Sequence, residues 1–145
     1  MIYYNCTSTH STVVFPEGVL VLIIDKLSKK SIHDQIVEGI EREILAGVLP
    51  VGAKLPSVRE LSAHLGVNPN TVQKALSALD GAGVIVSTHG RGSFVAEDAA
   101  EKIRRRFMPE LEDLKKLTAR LVMAGVSAED VINAVTDAIN EMEVR

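Results

Sequence analysis

The segment LGVNPNTVQKAL, residues 65–76, places four polar side chains just after a proline, in a stretch with the spacing of a helix. Gln73 carries an amide that can pair with both hydrogen-bonding positions of adenine, and Lys74 can reach guanine or a phosphate. Asn70 and Thr71 suit phosphate oxygens near the positive end of a helix. Together these residues indicate a surface that contacts nucleic acid. The alternative is an ordinary solvated helix face, which is the commoner outcome for an isolated helix of this composition.

Other kinds of chemistry find little support in the sequence. Cys6 is the single cysteine, which excludes an intrachain disulfide framework and a thiolate metal cluster. His10, His33, His64 and His89 are scattered, without a spacing that would place two ligands on one metal. There is also no nucleophile with a matching base, no carboxylate pair and no phosphate-binding loop. We therefore expect no enzyme, no metal and no cofactor.

Charge is distributed unevenly along the 145 residues. The net charge of -3 by itself argues against nucleic acid as a ligand, because nucleic-acid-binding proteins usually carry a basic excess. Residues 26–97, however, hold eight basic and seven acidic side chains, whereas residues 98–145 hold eight and ten. The segment with the candidate contacts is thus the least acidic part of the chain, and strong non-specific binding is not expected.

The longest apolar run, VLVLII at residues 19–24, is much shorter than the roughly 18 to 20 residues that a membrane span requires. It also lacks the basic flank of a secretory signal, because no lysine or arginine precedes Lys26. These features predict a soluble, cytoplasmic protein without a membrane partner.

Apolar spacing and capping residues predict two helices before the polar segment. The first follows Ser31 and ends near Gly47, with isoleucines at helical spacing along one side. The second begins after Ser57, which forms a capping-box pattern with Glu60 three residues later. It must end at Gly66, so only a short turn separates it from the next helix.

The third helix carries the polar residues of the 65–76 segment. Asn68 suits its N-cap, Pro69 suits its first position, and Gly81 ends it. Its predicted buried stripe consists of Val72, Ala75, Leu76 and Leu79. The outward face then carries Asn70, Thr71, Gln73, Lys74 and Ser77.

Two short β-branched runs between residues 84 and 96 are joined by HGRG, which is typical of a hairpin. An exposed tip with His89, Gly90 and Arg91 can enter a minor groove, although a plain hairpin turn gives the same signal. The order helix, loop, helix, tight turn, helix, hairpin predicts a winged helix-turn-helix. Arg59 on the second helix and Ser57 at its start are further candidates for DNA contact.

A long apolar stripe follows the hairpin and is interrupted by Pro109, which should kink or split its helix. We expect this stripe to bury itself against a second copy of the chain, because two helices of this kind cannot cover both faces alone. The predicted dimerisation residues are Ile103, Phe107, Leu111, Leu114, Leu117 and Leu121, with Val131, Val135 and Ile139 on a final helix. The triplet at residues 104–106, RRR, is more often a solvated helix face.

The predicted fold class is mainly α with a small β-hairpin: a winged helix-turn-helix followed by a two-helix dimerisation tail. We divide the chain into an N-terminal extension of uncertain order at residues 1–24, a DNA-binding domain at residues 25–97 and a helical tail at residues 98–145.

Three motifs of the predicted winged helix resemble those of a known family. The patterns G-x-K-L-P-S-x-R-E-L, L-G-V-N-P-N-T-V and G-R-G-S-F-V occur in order between residues 52 and 95. Roughly residues 25–96 resemble the N-terminal winged-helix domain of the GntR family almost end to end, and the short tail resembles that of its YtrA-type subfamily. The first 18 or so residues match nothing in the family.

The resemblance implies a homodimeric transcriptional regulator, commonly a repressor, that binds a near-palindromic DNA operator and often controls membrane-transporter genes. Carried over by position, the DNA-contacting residues are Ser57, Arg59, Asn68, Asn70, Thr71, Gln73 and Gly92. Pro69 stands where many members outside the subfamily have a base-reading arginine, so specificity should depend on Gln73 and Arg59. His33 stands where a tyrosine is common. A tail of under 50 residues leaves room only for a small-molecule effector, which the sequence does not identify.

A protein-interaction module without specific DNA binding is the alternative, favoured by the weak positive charge of the winged-helix segment. Salt separates the two, because binding through phosphates weakens steeply between about 50 and 200 mM salt.

Overall fold

The computed structural model describes residues 10–15 and 18–143. The elements, in chain order, are β1 (His10–Phe15), β2 (Gly18–Asp25), α1 (Ile32–Leu45), α2 (Val58–Leu65), α3 (Pro69–Gly81), β3 (Ile85–Thr88), β4 (Gly92–Val95), α4 (Ala99–Met123) and α5 (Ala128–Glu143). β1 pairs with β2 and β3 pairs with β4, both antiparallel. The predicted class, mainly helical with a small hairpin, is confirmed.

The chain divides into two compact units, Met1–Arg105 and Arg106–Arg145. The first contains the three short helices, both hairpins and the start of α4; the second contains the rest of α4 and α5. Among the helices in the described ranges, none combines the length and the hydropathy needed to cross a membrane.

Strand β2 belongs to the core of the first unit, although the sequence placed residues 1–24 in an extension. Leu20, Leu22 and Ile24 are buried, while Ile23 between them is 47% exposed. Leu22 explains the glycine inside α1, since a Cβ on Gly39 would lie 2.6 Å from a Leu22 methyl carbon. The start of the folded unit therefore lies before residue 25. Cys6 lies outside the described residues.

The end of β2 is fastened to α1 by Gln35. Its amide oxygen accepts a hydrogen bond from the Asp25 N–H at 2.8 Å, and its amide nitrogen donates to the Asp25 carbonyl at 2.9 Å. The same nitrogen donates to the Lys30 carbonyl at 2.9 Å. The Gln35 side chain thus satisfies the hydrogen bonding of three backbone groups between the end of β2 and the start of α1.

The predicted helix boundaries of the first unit are confirmed by the capping geometry. Ser31, Ser57 and Asn68 are the N-caps of α1, α2 and α3. Gly66 ends α2 with a φ of 60°, in the left-handed region that favours glycine. The tight turn between α2 and α3 is the one expected of a helix-turn-helix.

Two expectations about α4 need correction. Of the two outcomes predicted for Pro109, a kink or a split, the split is wrong, because the helix is continuous from Ala99 to Met123. Pro109 is exposed, so water can satisfy the Arg105 carbonyl that the missing proline N–H leaves without its helical partner. Ile103, predicted to face a second copy, is instead fully buried in the core of the first unit, because α4 begins against that core.

Candidate nucleic-acid interface

The start of α2 is a complete capping box. The Ser57 N–H donates to the Glu60 carboxylate at 2.7 Å, and the Glu60 N–H donates to the Ser57 hydroxyl at 3.2 Å. Hydrogen bonds with Ser57, through its side chain and then its backbone, lower the pKa of Glu60. The carboxylate thus remains ionised at the helix end that Ser57 would offer to a phosphate. Arg59, two residues after Ser57, is an exposed cation in the first turn of α2.

The start of α3 uses its own backbone donors internally. The Asn68 side chain accepts from the Asn70 N–H at 2.8 Å, and the Asn68 carbonyl accepts from Thr71 at 2.9 Å. The Val72 N–H also reaches the Asn68 carbonyl, at 3.3 Å, and Pro69 has no N–H. The amide oxygen of Asn68 is therefore explained by capping, and the side chains of Asn70 and Thr71 remain candidates for DNA contact from this turn.

The outward face of α3 has the predicted phase. Val72, Ala75, Leu76 and Leu79 are buried, whereas Gln73 and Lys74 are exposed. The Gln73 amide donates to the Ser77 hydroxyl one turn later, at 3.2 Å. One of its two N–H groups is thus engaged within the helix, which leaves one N–H and the amide oxygen for a base edge.

The hairpin β3–β4 forms the wing, with His89, Gly90 and Arg91 exposed at its tip. Gly92 has a φ of 104°, and a Cβ there would lie 3.1 Å from the Cε of Lys54. The positive φ favours glycine for structural reasons alone, and the Lys54 side chain would have to shift slightly to admit a Cβ. Gly92 is thus explained by the backbone, whatever it contributes to binding.

A cleft of about 510 Å³ lies between the start of α2, the outward face of α3 and the wing. It brings together five of the predicted contact residues, and these are Ser57, Gln73, His89, Gly90 and Gly92. Asn68, Asn70 and Thr71 lie outside it, at the start of α3. The three predicted cations do not line the cleft either, but Arg59, Lys74 and Arg91 each adjoin a lining residue in the chain.

Asp80, Ser87 and Ser93 also line this cleft, although the sequence did not mark them as candidates. Asp80, near the end of α3, accepts a hydrogen bond from the Ser87 N–H of β3 at 2.9 Å. Ser87 and Ser93 face each other across the wing with their hydroxyls 3.0 Å apart. Asp80 follows Gln73 at i+7, so helical spacing alone could have placed it on the same face. No local signal predicts its bond to the wing.

The predicted dimerisation residues lie in the second unit, with the exception of Ile103. Phe107, Leu111 and Leu117 are about half exposed, and Leu114 is 40% exposed. Leu121, Val135 and Ile139 are exposed as well, and Val131 is half-buried. Within the described residues, no group of His, Cys, Asp and Glu side chains could hold a metal ion.

The family model for bacterial regulatory proteins of the gntR family matches residues 32–95, from α1 to the end of the wing. The HTH-type transcriptional repressor YtrA of Bacillus subtilis is 38% identical over 107 residues, which cover 73% of this chain and 82% of YtrA. The chain belongs to the GntR family. Its winged helix is thus that of a DNA-binding transcriptional regulator, as the motifs predicted.

Other GntR-type proteins agree over most of the chain. The uncharacterized HTH-type transcriptional regulator YhcF of Bacillus subtilis is 30% identical, covering 74% of this chain and 89% of YhcF. A GntR family transcriptional regulator from Listeria monocytogenes superposes with a TM-score of 0.63 at 32% identity, covering 79% of this chain and 98% of that one. For YtrA from Sulfolobus acidocaldarius the TM-score is 0.52 at 37% identity, with 63% and 97% covered.

Proposed function

We propose that this GntR-family protein is a cytoplasmic homodimeric repressor that binds a near-palindromic operator. The observation that carries the proposal is the cleft in which the start of α2, the outward face of α3 and the wing converge. A groove-binding helix flanked by a second helix end and a wing can reach bases and phosphates together. The name of the Bacillus subtilis relative, a transcriptional repressor, supports the direction of regulation.

The contacts divide by chemistry. Gln73 and Arg59 read bases, since an amide suits adenine and a guanidinium suits guanine. Asn70, Thr71 and Lys74 contact the backbone around the start of α3, and Ser57 does so at α2. Arg91 at the tip of the wing enters a minor groove with His89 and Gly90 beside it. Capping and backbone geometry account for Asn68 and Gly92, so their part in binding is to shape the turn and the wing.

In this proposal the second unit forms the dimer interface. Its exposed apolar side chains on α4 and α5 have the spacing of a helix face, and burying them against a second copy removes that surface from water. Two winged helices related by a two-fold axis then meet half-sites about 34 to 36 Å apart, or a multiple of that. A transporter operon as the target, and a small effector bound by the tail, complete the proposal.

The decisive experiment uses a duplex selected from a random-sequence pool by the wild-type protein. Arg59→Ala and Gln73→Ala should each weaken specific retardation about tenfold or more, because each removes a base contact. Arg42→Ala is the matched control, since Arg42 is an exposed arginine on α1 that does not line the cleft. Unchanged affinity in both cleft variants would refute the proposed contacts.

Salt then tests the proposal against a protein-interaction module. Affinity for the selected duplex should fall steeply between about 50 and 200 mM salt, because phosphate contacts release counterions. Failure of the wild-type protein to enrich any sequence, or an affinity for the selected duplex that does not change with salt, would favour a protein partner.

A further inference from the structure

The two strands of the wing are fastened to the first unit by different means. β4 lies against the loop before α2: Leu55 donates to the Ser93 carbonyl at 2.8 Å, and Val95 donates to the Ala53 carbonyl at 2.9 Å. Gly52 also donates to the Val95 carbonyl at 2.9 Å. This side of the wing is therefore held by backbone hydrogen bonds, which substitutions of side chains leave in place.

The β3 side of the wing is linked to α3 through a side chain. At the base of the hairpin, the Val84 N–H donates to the Leu79 carbonyl at 2.9 Å. Further along β3, the Ser87 N–H donates to the Asp80 carboxylate at 2.9 Å. Ser87 also faces the Ser93 hydroxyl across the hairpin, so a single residue joins α3, β3 and β4. The Asp80 carboxylate thereby connects the candidate recognition helix to the wing at the level of the cleft.

An aspartate at position 80 disfavours both the stability of α3 and the binding of DNA. Asp80 is the penultimate residue of α3, where the negative end of the helix dipole disfavours an anion. It also lines the cleft that is proposed to face DNA, where a negative charge opposes binding to phosphates. A neutral or basic residue would suit both helix stability and DNA affinity better. Its role as a hydrogen-bond acceptor for the edge of β3 accounts for an acid here.

We propose that Asp80 is a positioning residue, which fixes the wing against α3 so that Arg91 and Gln73 meet DNA in one register. The inference rests on the proposed function and adds to it a residue outside the predicted contact set. Without the Asp80 acceptor, the Ser87 N–H is left to water, and only the Val84–Leu79 backbone hydrogen bond at the base of the hairpin still joins β3 to α3. The entropy of ordering the wing must then be overcome when DNA binds.

The test is a double-mutant cycle between Asp80 and Arg91, measured by retardation of the duplex selected by the wild-type protein. Asp80→Asn and Asp80→Ala remove the same charge, but only asparagine keeps an oxygen acceptor for Ser87. Arg91→Ala should weaken binding about tenfold in the wild type and in Asp80→Asn, the size of one charge-assisted contact. In Asp80→Ala the same change should cost less than about threefold, because coupled residues are non-additive.

A second readout reports the wing directly. Hydroxyl-radical footprints of the minor groove should be alike for the wild type and Asp80→Asn, and should lose the protection at the flanks in Asp80→Ala. Thermal unfolding of both variants checks that each is folded. A residue that merely stabilised the domain would leave the cost of Arg91→Ala the same in every background.

Three results would overturn the positioning role: an equal cost of Arg91→Ala in all backgrounds, no cost in the wild type, or Asp80→Asn behaving as Asp80→Ala. Each leaves operator binding by the protein standing, because the wild type still binds the selected duplex. A change of Arg91 without cost in the wild type would in addition remove the proposed minor-groove contact of Arg91. If the wild type enriches no sequence, the proposed function itself fails, and this inference fails with it.

Discussion

The two compact units contain apolar side chains at the same helical spacing, yet only the first buries them within the chain. Ile103 and Phe107 show the difference most directly, because they lie one turn apart on α4. Ile103 is fully buried in the first unit, and Phe107, in the second, is 50% exposed. Periodicity thus indicates which side of a helix is apolar, but not what that side packs against. The second unit is proposed to complete its core with a second copy.

The largest effect should come from a charge on the exposed stripe of the second unit. Leu114→Glu should convert the proposed dimer to a monomer, because a carboxylate would be buried without a partner in the proposed apolar interface. Affinity for the selected duplex should then fall by about a hundredfold or more, since the second half-site no longer binds as part of one molecule. Sedimentation equilibrium and retardation measure the two losses.

Ala119→Glu is the matched control, because it adds the same charge to α4 at an exposed position away from the leucine stripe. It should leave the mass and the affinity close to those of the wild type. A Leu114→Glu protein that stays dimeric would show that the stripe of the second unit is not the interface.

A second prediction compares the neighbours on α4. Ile103→Ala should lower the free energy of unfolding by about 2 to 5 kcal/mol, as for other large-to-small changes in a core. Phe107→Ala should act mainly through the dimer, so its effect on the urea midpoint should shrink as the protein is diluted. A dependence on protein concentration that is the same for both variants would contradict the division of α4 between two units.

Features of the first unit that depend on local chemistry could be predicted from the sequence. The capping box of Ser57 and Glu60, the N-cap Asn68 and the left-handed Gly66 are specified by residues within one turn, and the structure confirms each. Strand β2 was missed because the residues against which it packs are distant in the sequence. Leu22 of β2, for example, packs against Gly39 of α1. A split of α4 at Pro109 was expected because proline removes one backbone hydrogen bond, but at this exposed position water can satisfy the carbonyl that loses its partner.

In the candidate site, too, features set by a single helix could be predicted, whereas contacts between distant elements could not. The outward placement of Gln73 followed from the phase of the buried stripe, which a single helix determines. The bond between Asp80 and Ser87 could not be predicted, because it requires the wing to fold back along α3. Ile103 was predicted to pack against a second copy, but it packs in the core of the first unit. The reason is related, because the apolar stripe is continuous in the sequence while its packing environment changes along α4.

The smallest expected effect concerns a local signal of the first unit, and it should persist when the second unit has lost its partner. Glu60→Gln keeps an oxygen for the Ser57 N–H but removes the charge. The pKa of Glu60 is lowered from its ordinary value of 4.5, chiefly by hydrogen bonding to the Ser57 side chain. A lowered pKa means that the ionised carboxylate favours the folded state. That contribution is complete above the ordinary pKa and is lost as the pH falls through the lowered one.

In the Leu114→Glu background, where dissociation no longer contributes, the parent should therefore resist urea slightly better than its Glu60→Gln derivative at pH 7. The difference in urea midpoint should shrink towards zero as the pH is lowered well below 4.5. Ser57→Ala supplies the control, because it removes the main cause of the lowered pKa and should narrow the difference at pH 7. A difference in urea midpoint that is the same at both pH values would mean that the charge of Glu60 does not stabilise this cap. The stability of the first unit would then depend on its buried core even at the start of α2, where the sequence signal for a helix is clearest.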